Sequence, residues 1–136
     1  MVSYSQEYAA AVSAVTVTLT SLANGSGVDS SIIDNSVDLN IDADVEIKTN
    51  GQASGTGLLE VYLLSSIDNA DFTDSANARL IGSVQMNSAV AVKKTLRLFD
   101  LPKYYKFRFV NQSGAALSAT AGDHAVSFLG VKYKSV

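Results

Sequence analysis

The chain has no cysteine and no tryptophan, one proline (Pro102) and one histidine (His124) among 136 residues. Without cysteine there are no disulfides, no thiolate metal sites and no cysteine nucleophile, and the compartment is left open. A single histidine rules out His-cluster metal sites. The absence of tryptophan weakens any reading as a sugar-stacking surface. No run approaches the roughly 18 apolar residues of a membrane-spanning helix. The first fifteen residues, MVSYSQEYAAAVSAV, contain no Lys or Arg and only a weakly apolar run, so they do not read as a signal peptide. Basic residues are missing altogether from positions 1 to 47, which hold seven acids: Glu7, Asp29, Asp34, Asp38, Asp42, Asp44 and Glu46.

What is present is 47% hydrophobic residues, nine glycines and abundant Ser, Thr, Asn and Val. That is enough apolar material for one packed domain, in a mix that favours strands and turns over helices. The clearest pattern is Asp38 to Lys48, DLNIDADVEIK. Leu39, Ile41, Ala43, Val45 and Ile47 alternate with a polar row that is almost wholly acidic. Period-two alternation predicts a strand with one dry and one wet face. Further strands are expected over 14–22 (AVTVTLTSL), 28–33, 58–65 (LLEVYLLS, apolar on both faces and so central), 79–87, 93–101, 104–110, 115–120 and 125–136. Turns such as Asn24-Gly25-Ser26-Gly27 and Asn111-Gln112-Ser113-Gly114 separate them. About eight short strands without βαβ alternation predict an all-β fold, a jelly-roll-like antiparallel β-sandwich. Residues 1–13 are expected as an N-terminal arm, extended or with one helical turn at the alanines, and 14–136 as a single sandwich domain.

A row of carboxylates at two-residue spacing needs cations beside it. Six bases fall between Lys93 and Arg108: Lys93, Lys94, Arg97, Lys103, Lys106 and Arg108. The expectation is that Asp38, Asp42, Asp44 and Glu46 meet this basic segment, within the sheet or across a subunit boundary. Opposite charges across strands contribute about 0.2–1 kcal/mol each, so they set register and partner more than stability.

Other constellations are weaker. Asp68, Asp71 and Asp74 share a loop with Asn69 and Thr73, but lack the glycine and terminal glutamate of a Ca²⁺ loop. Asp42 and Asp44 fall within the roughly 6–7 Å range of a carboxylate pair by strand rise, yet no cleft or stacking aromatics accompany them. His124 has only Asp123 and Ser127 nearby and reads as a surface loop residue. The alternation of Phe107 and Phe109 with Lys106 and Arg108 sends the rings to the core, which argues against a nucleic-acid platform, as does the acidic pI near 4.9. No catalytic group, cofactor site or metal site is expected, and the chain reads as non-enzymatic.

Two segments carry a resemblance. One is Ser21-Leu22-Ala23-Asn24-Gly25 followed by Ile33-Asp34-Asn35-Ser36 and the alternating strand; the other is Phe109 to Thr120 with the closing strand to Tyr133. From about Val15 onward the chain resembles small virion structural proteins of tailed bacteriophages. The resemblance implies a β-sandwich without enzymatic activity that assembles on the virion. The expected role is a capsid decoration (cement) protein on the capsid exterior, a homo-oligomer (a trimer is one form) whose partners are the major capsid protein or other virion proteins, with no nucleic acid and no membrane. A tail, baseplate or fibre-associated component and a carbohydrate-binding module stand as the alternatives.

Overall fold

The computed structural model describes residues 1–136. Its strands are β1 (Tyr4–Tyr8), β2 (Ser13–Ala14), β3 (Gly27–Asp29), β4 (Ile33–Asp34), β5 (Asp42–Thr49), β6 (Leu58–Ser66), β7 (Arg79–Gln85), β8 (Val92–Leu98), β9 (Tyr104–Gln112) and β10 (Ala125–Ser135), with two short 3₁₀ turns at Ser75–Asn77 and Ala121–Asp123. All ladders are antiparallel. One sheet, sheet A, runs β1-β10-β5-β8, with β2 also on β10; the other, sheet B, runs β3-β9-β6-β7, with β4 also on β9.

Two of the strand positions are broken. Tyr8 faces Val131 and Ala14 faces Ser127, so β1 and β2 lie along β10 as one edge strand interrupted at residues 9–12. β3 and β4 likewise follow β9, interrupted at 30–32. Counting each broken strand once gives eight positions, and their order in the two sheets is the jelly-roll arrangement.

The core lies between the sheets. β9 supplies Tyr105, Phe107 and Phe109, all fully buried. The Tyr105 and Phe107 rings meet edge to face at 5.7 Å, and Phe107 and Phe109 are tilted at 6.4 Å. Val45 and Ile47 from β5, Leu59 and Val61 from β6, and Leu96 and Leu98 from β8 pack around them. Burying one such side chain stabilises the fold by about 1.5–3 kcal/mol. Gly82 sits where β6 and β7 shift register, and a side chain there would run into Leu96 of the facing sheet.

Four expectations are corrected. Residues 1–13 are not a free arm: Tyr4–Tyr8 is a sheet strand on β10. The segment 14–22 is not a continuous strand. Val15 N–H donates to Val126 in sheet A while Thr16 C=O accepts from Ser31 beside sheet B. The segment therefore crosses between the sheets, and divided hydrogen bonding makes no ladder, although Val15 and Leu19 are buried as the pattern requires. Residues 115–120 contribute only an isolated bridge, Gly51 to Leu117. The acidic strand begins at Asp42 rather than Asp38. Ahead of it Asn35 Nδ2 donates to Asn40 C=O (2.8 Å) and Asn40 N–H to Asn35 Oδ1 (2.9 Å). This latch turns Leu39 to a φ of 53° and leaves it exposed. The Asn40 side chain then lies over Gly130 of β10, where any larger residue would collide with it.

Candidate functional site

The alternation within β5 orders the site. Ala43, Val45 and Ile47 point into the core, so Asp42, Asp44, Glu46 and Lys48 share the outer face of sheet A. β8 runs beside it with Asp44 opposite Arg97, Glu46 opposite Thr95 and Lys48 opposite Lys93. On the other side β10 sets Val131 opposite Asp42, and β1 sets Tyr8 opposite Val131.

Arg97 is the centre of this face. Its Nη1 donates to Asp44 Oδ1 at 3.1 Å and lies 3.5 Å from the Tyr8 hydroxyl, and its Nη2 is 3.6 Å from Asp42 Oδ2. The guanidinium carbon stands 5.9 Å from the centroid of the Tyr8 ring and 5.8 Å from that of Phe99. A planar cation flanked by rings and carboxylates uses every mode of recognition open to arginine. The hydrogen bond to Asp44 holds the Arg97 pKa up, against the opposing effect of burial. The other oxygen of Asp42 accepts from Asp100 N–H at 3.2 Å and ties down the turn after β8. Asp42 and Asp44 are thus both committed to one arginine, an arrangement that leaves neither free as a general acid or base.

The remaining expected contacts divide. Lys93 Nζ is 3.1 Å from Glu46 Oε2 in an exposed pair. Lys94 points the other way and donates to Ser83 C=O of β7 at 2.8 Å, joining the sheets at that edge. Asp38 lies in the exposed turn before the strand and Lys103 lies over the Tyr104 ring at 5.1 Å; neither meets the facing row. Lys106 and Arg108 are on sheet B, and their partner is Asp29, at 3.0 Å and 2.7 Å. Sequence reasoning missed Asp29 as a site. Burial of Asp29 works to raise its pKa, but hydrogen bonds from Lys106 and Arg108 outweigh that and hold it below the ordinary value. The available signal was that Lys106 and Arg108, two apart on one strand, must share a face and so could share one carboxylate.

The weaker constellations are local structure. Asp68 accepts from Ala70 N–H, Asp71 N–H and Ser66 Oγ, contacts that lower its pKa. Asp74 caps the 3₁₀ turn through Asn77 N–H. His124 is not a loose surface residue. It is half-buried, with Nδ1 2.9 Å from the Thr49 hydroxyl and Nε2 3.0 Å from Ser118 C=O. The carbonyl can only accept, so Nε2 carries a proton, while the Thr49 hydroxyl can partner Nδ1 in either role. This bridge pins the 115–120 segment to β5.

Large exposed rings distinguish the outer face of sheet A. Tyr4, Tyr8, Phe99 and Tyr133 are 67%, 51%, 60% and 51% exposed. Three of them sit on β1 and β10, and Phe99 follows β8, on the far side of Arg97.

No protein-family model matches the chain, and no curated protein matches it. Among solved structures it is similar to the CBM22-1 xylan-binding domain of Paenibacillus barcinonensis Xyn10C, at 11% identity and a TM-score of 0.39, over 96% of this chain and 85% of that one. It is also similar to part of the MgGH51 α-L-arabinofuranosidase, at 12% identity and a TM-score of 0.41. That match covers 96% of this chain but only 23% of the arabinofuranosidase. Neither likeness bears on ligand or partner.

Proposed function

We propose that this chain is a non-catalytic structural protein of a bacteriophage virion, a capsid decoration protein that attaches through the outer face of sheet A. The observation that carries the attachment surface is the group of exposed rings around Arg97. Tyrosine, phenylalanine and arginine are the residues that protein interfaces concentrate, and buried aromatic and arginine anchors supply most of the binding energy there. The arginine is already oriented by Asp42 and Asp44, so little side-chain freedom is lost when a partner covers it. The virion assignment itself is supported by the resemblance of the two turn-and-strand segments.

Co-sedimentation with capsids stripped of their accessory proteins tests this reading. Wild-type chain should pellet with capsids. Phe99→Ala should weaken attachment at least about ten-fold, the effect of losing one interface anchor. Wild-type chain that stays in the supernatant with capsids would overturn the decoration role; labelling confined to tails would replace it with the tail-associated one.

A second reading is a carbohydrate-binding module. It is favoured by Tyr4 and Tyr133, whose rings line one shallow apolar recess. Binding on a glycan array that is lost in Tyr133→Ala would establish it in place of the first.

A further inference from the structure

We infer that β1 is the seat of a two-fold dimer, in which the β1 strands of two copies pair antiparallel and join their A sheets edge to edge. The inference does not depend on what surface the protein decorates.

The backbone of β1 is phased for it. Ala9 N–H donates to Gly130 C=O and Val136 N–H to Ser3 C=O, so the odd residues of this strand turn their polar groups toward β10. In an antiparallel ladder the alternate residues face away. Tyr4, Gln6 and Tyr8 therefore present N–H and C=O groups to solvent along an open edge.

The side chains are self-complementary about Gln6. Pairing Gln6 with Gln6 of the second copy sets Tyr4 opposite the partner's Tyr8, and Tyr8 opposite the partner's Tyr4. All three pairs fall on outward-facing residues, so about six backbone hydrogen bonds form in register. Tyrosines directly opposite on one face are favourable cross-strand partners. Glu7 falls opposite Ser5 rather than another carboxylate, and it keeps its own cation, Lys134, at 3.6 Å. The partner's Tyr4 then stands beside Tyr8 and enlarges the ring set around Arg97.

The other sheet edges are guarded and this one is not. β8 carries Lys93, Lys94 and Arg97, the charged type of protection that keeps edges apart. β7 is bent by the register shift at Gly82, and the β3–β4 edge is partly covered where Thr16 C=O meets Ser31 N–H. β1 has no lysine, arginine or proline. A second copy is the occupant that its palindromic spacing fits, because the same residues meet themselves.

Sedimentation equilibrium of the full chain should give a dimer at about 100 µM. Gln6 is exposed, so Gln6→Lys leaves the monomer fold intact while placing two lysines opposite each other, and should raise the dimer Kd at least about ten-fold. In a chain without cysteine, Gln6→Cys should be joined to a second copy by a short thiol-specific bifunctional reagent, since the Cα atoms of such a pair lie about 5.5 Å apart. A wild-type monomer at that concentration overturns the inference. So does an oligomer that Gln6→Lys leaves unchanged, or one in which Gln6→Cys does not cross-link. A monomer that still pellets with capsids would sink the dimer and keep the proposed function; a dimer that ignores capsids would do the reverse.

Discussion

The two outer faces of the sandwich solve the same electrostatic problem with opposite signs. On sheet A one cation, Arg97, serves two carboxylates, Asp42 and Asp44. On sheet B one carboxylate, Asp29, serves two cations, Lys106 and Arg108. Each hub joins neighbouring strands, β5 to β8 in one case and β3 to β9 in the other. They differ in what surrounds them. Arg97 lies between exposed Tyr8 and Phe99 rings, whereas the sheet B cluster has Lys106 over Phe72, at 5.0 Å, and a Tyr62 hydroxyl donating to Glu60 at 2.8 Å. The sheet A hub is thus framed by rings left exposed to solvent, and the sheet B hub by groups that satisfy one another.

Each hub can be removed by a single substitution. Replacing Arg97 by Met should have the largest effect, about 1–3 kcal/mol by chemical denaturation, because it strands Asp42, whose side chain is only 10% exposed, beside Asp44. Asp29→Asn should cost less, about 1 kcal/mol, since Lys106 and Arg108 can turn toward water. It should also change the acid limb. The folded pKa of Asp29 is depressed, so its contribution is present above the unfolded value of about 3.8 and disappears as pH falls through the lower folded value. Stability profiles below pH 4 should therefore be flatter in Asp29→Asn than in wild type. An unchanged slope would mean that Asp29 is not held by its two cations in solution. The smallest effect belongs to Lys93→Met. Its pair with Glu46 has side chains 62% and 44% exposed, and melting should shift by no more than about 0.5 kcal/mol equivalent.

Continuous strands inside a sheet were legible in the sequence. β6, β8, β9 and β10 fall close to their expected places; β9 is marked by burial that alternates along its length, and β6 by an apolar run on both faces that fits a central strand. β5 was right in its dry face and wrong in its start. The alternation continues through Leu39 and Ile41, but the Asn35–Asn40 latch overrides it, and two bonds from one side chain to a backbone five residues on leave no periodic trace. β1 was illegible for the opposite reason: the strand is mostly exposed, so no apolar alternation marks it. The divided segment 14–22 kept its period while losing its ladder, since burial and hydrogen bonding there are supplied by different sheets. Within the site, Asp44 and Arg97 could be named because both lie on strong strands, while Asp29 could not, because its three-residue strand is defined only by its partner β9. The pairing of strands distant in sequence is what the residue pattern does not encode.

β10 holds both β5 and the broken β1–β2 edge, although it is the last strand of the domain to leave the ribosome. Until residues 125–135 emerge, Val45 and Ile47 have no β10 beside them and β1 has nowhere to dock. Sheet B, whose strands are all complete by Gln112, can form earlier. Synthesis therefore imposes an interval in which β5 has one edge unpaired and its apolar side chains incompletely covered, the interval in which such chains are most open to aggregation or chaperone capture.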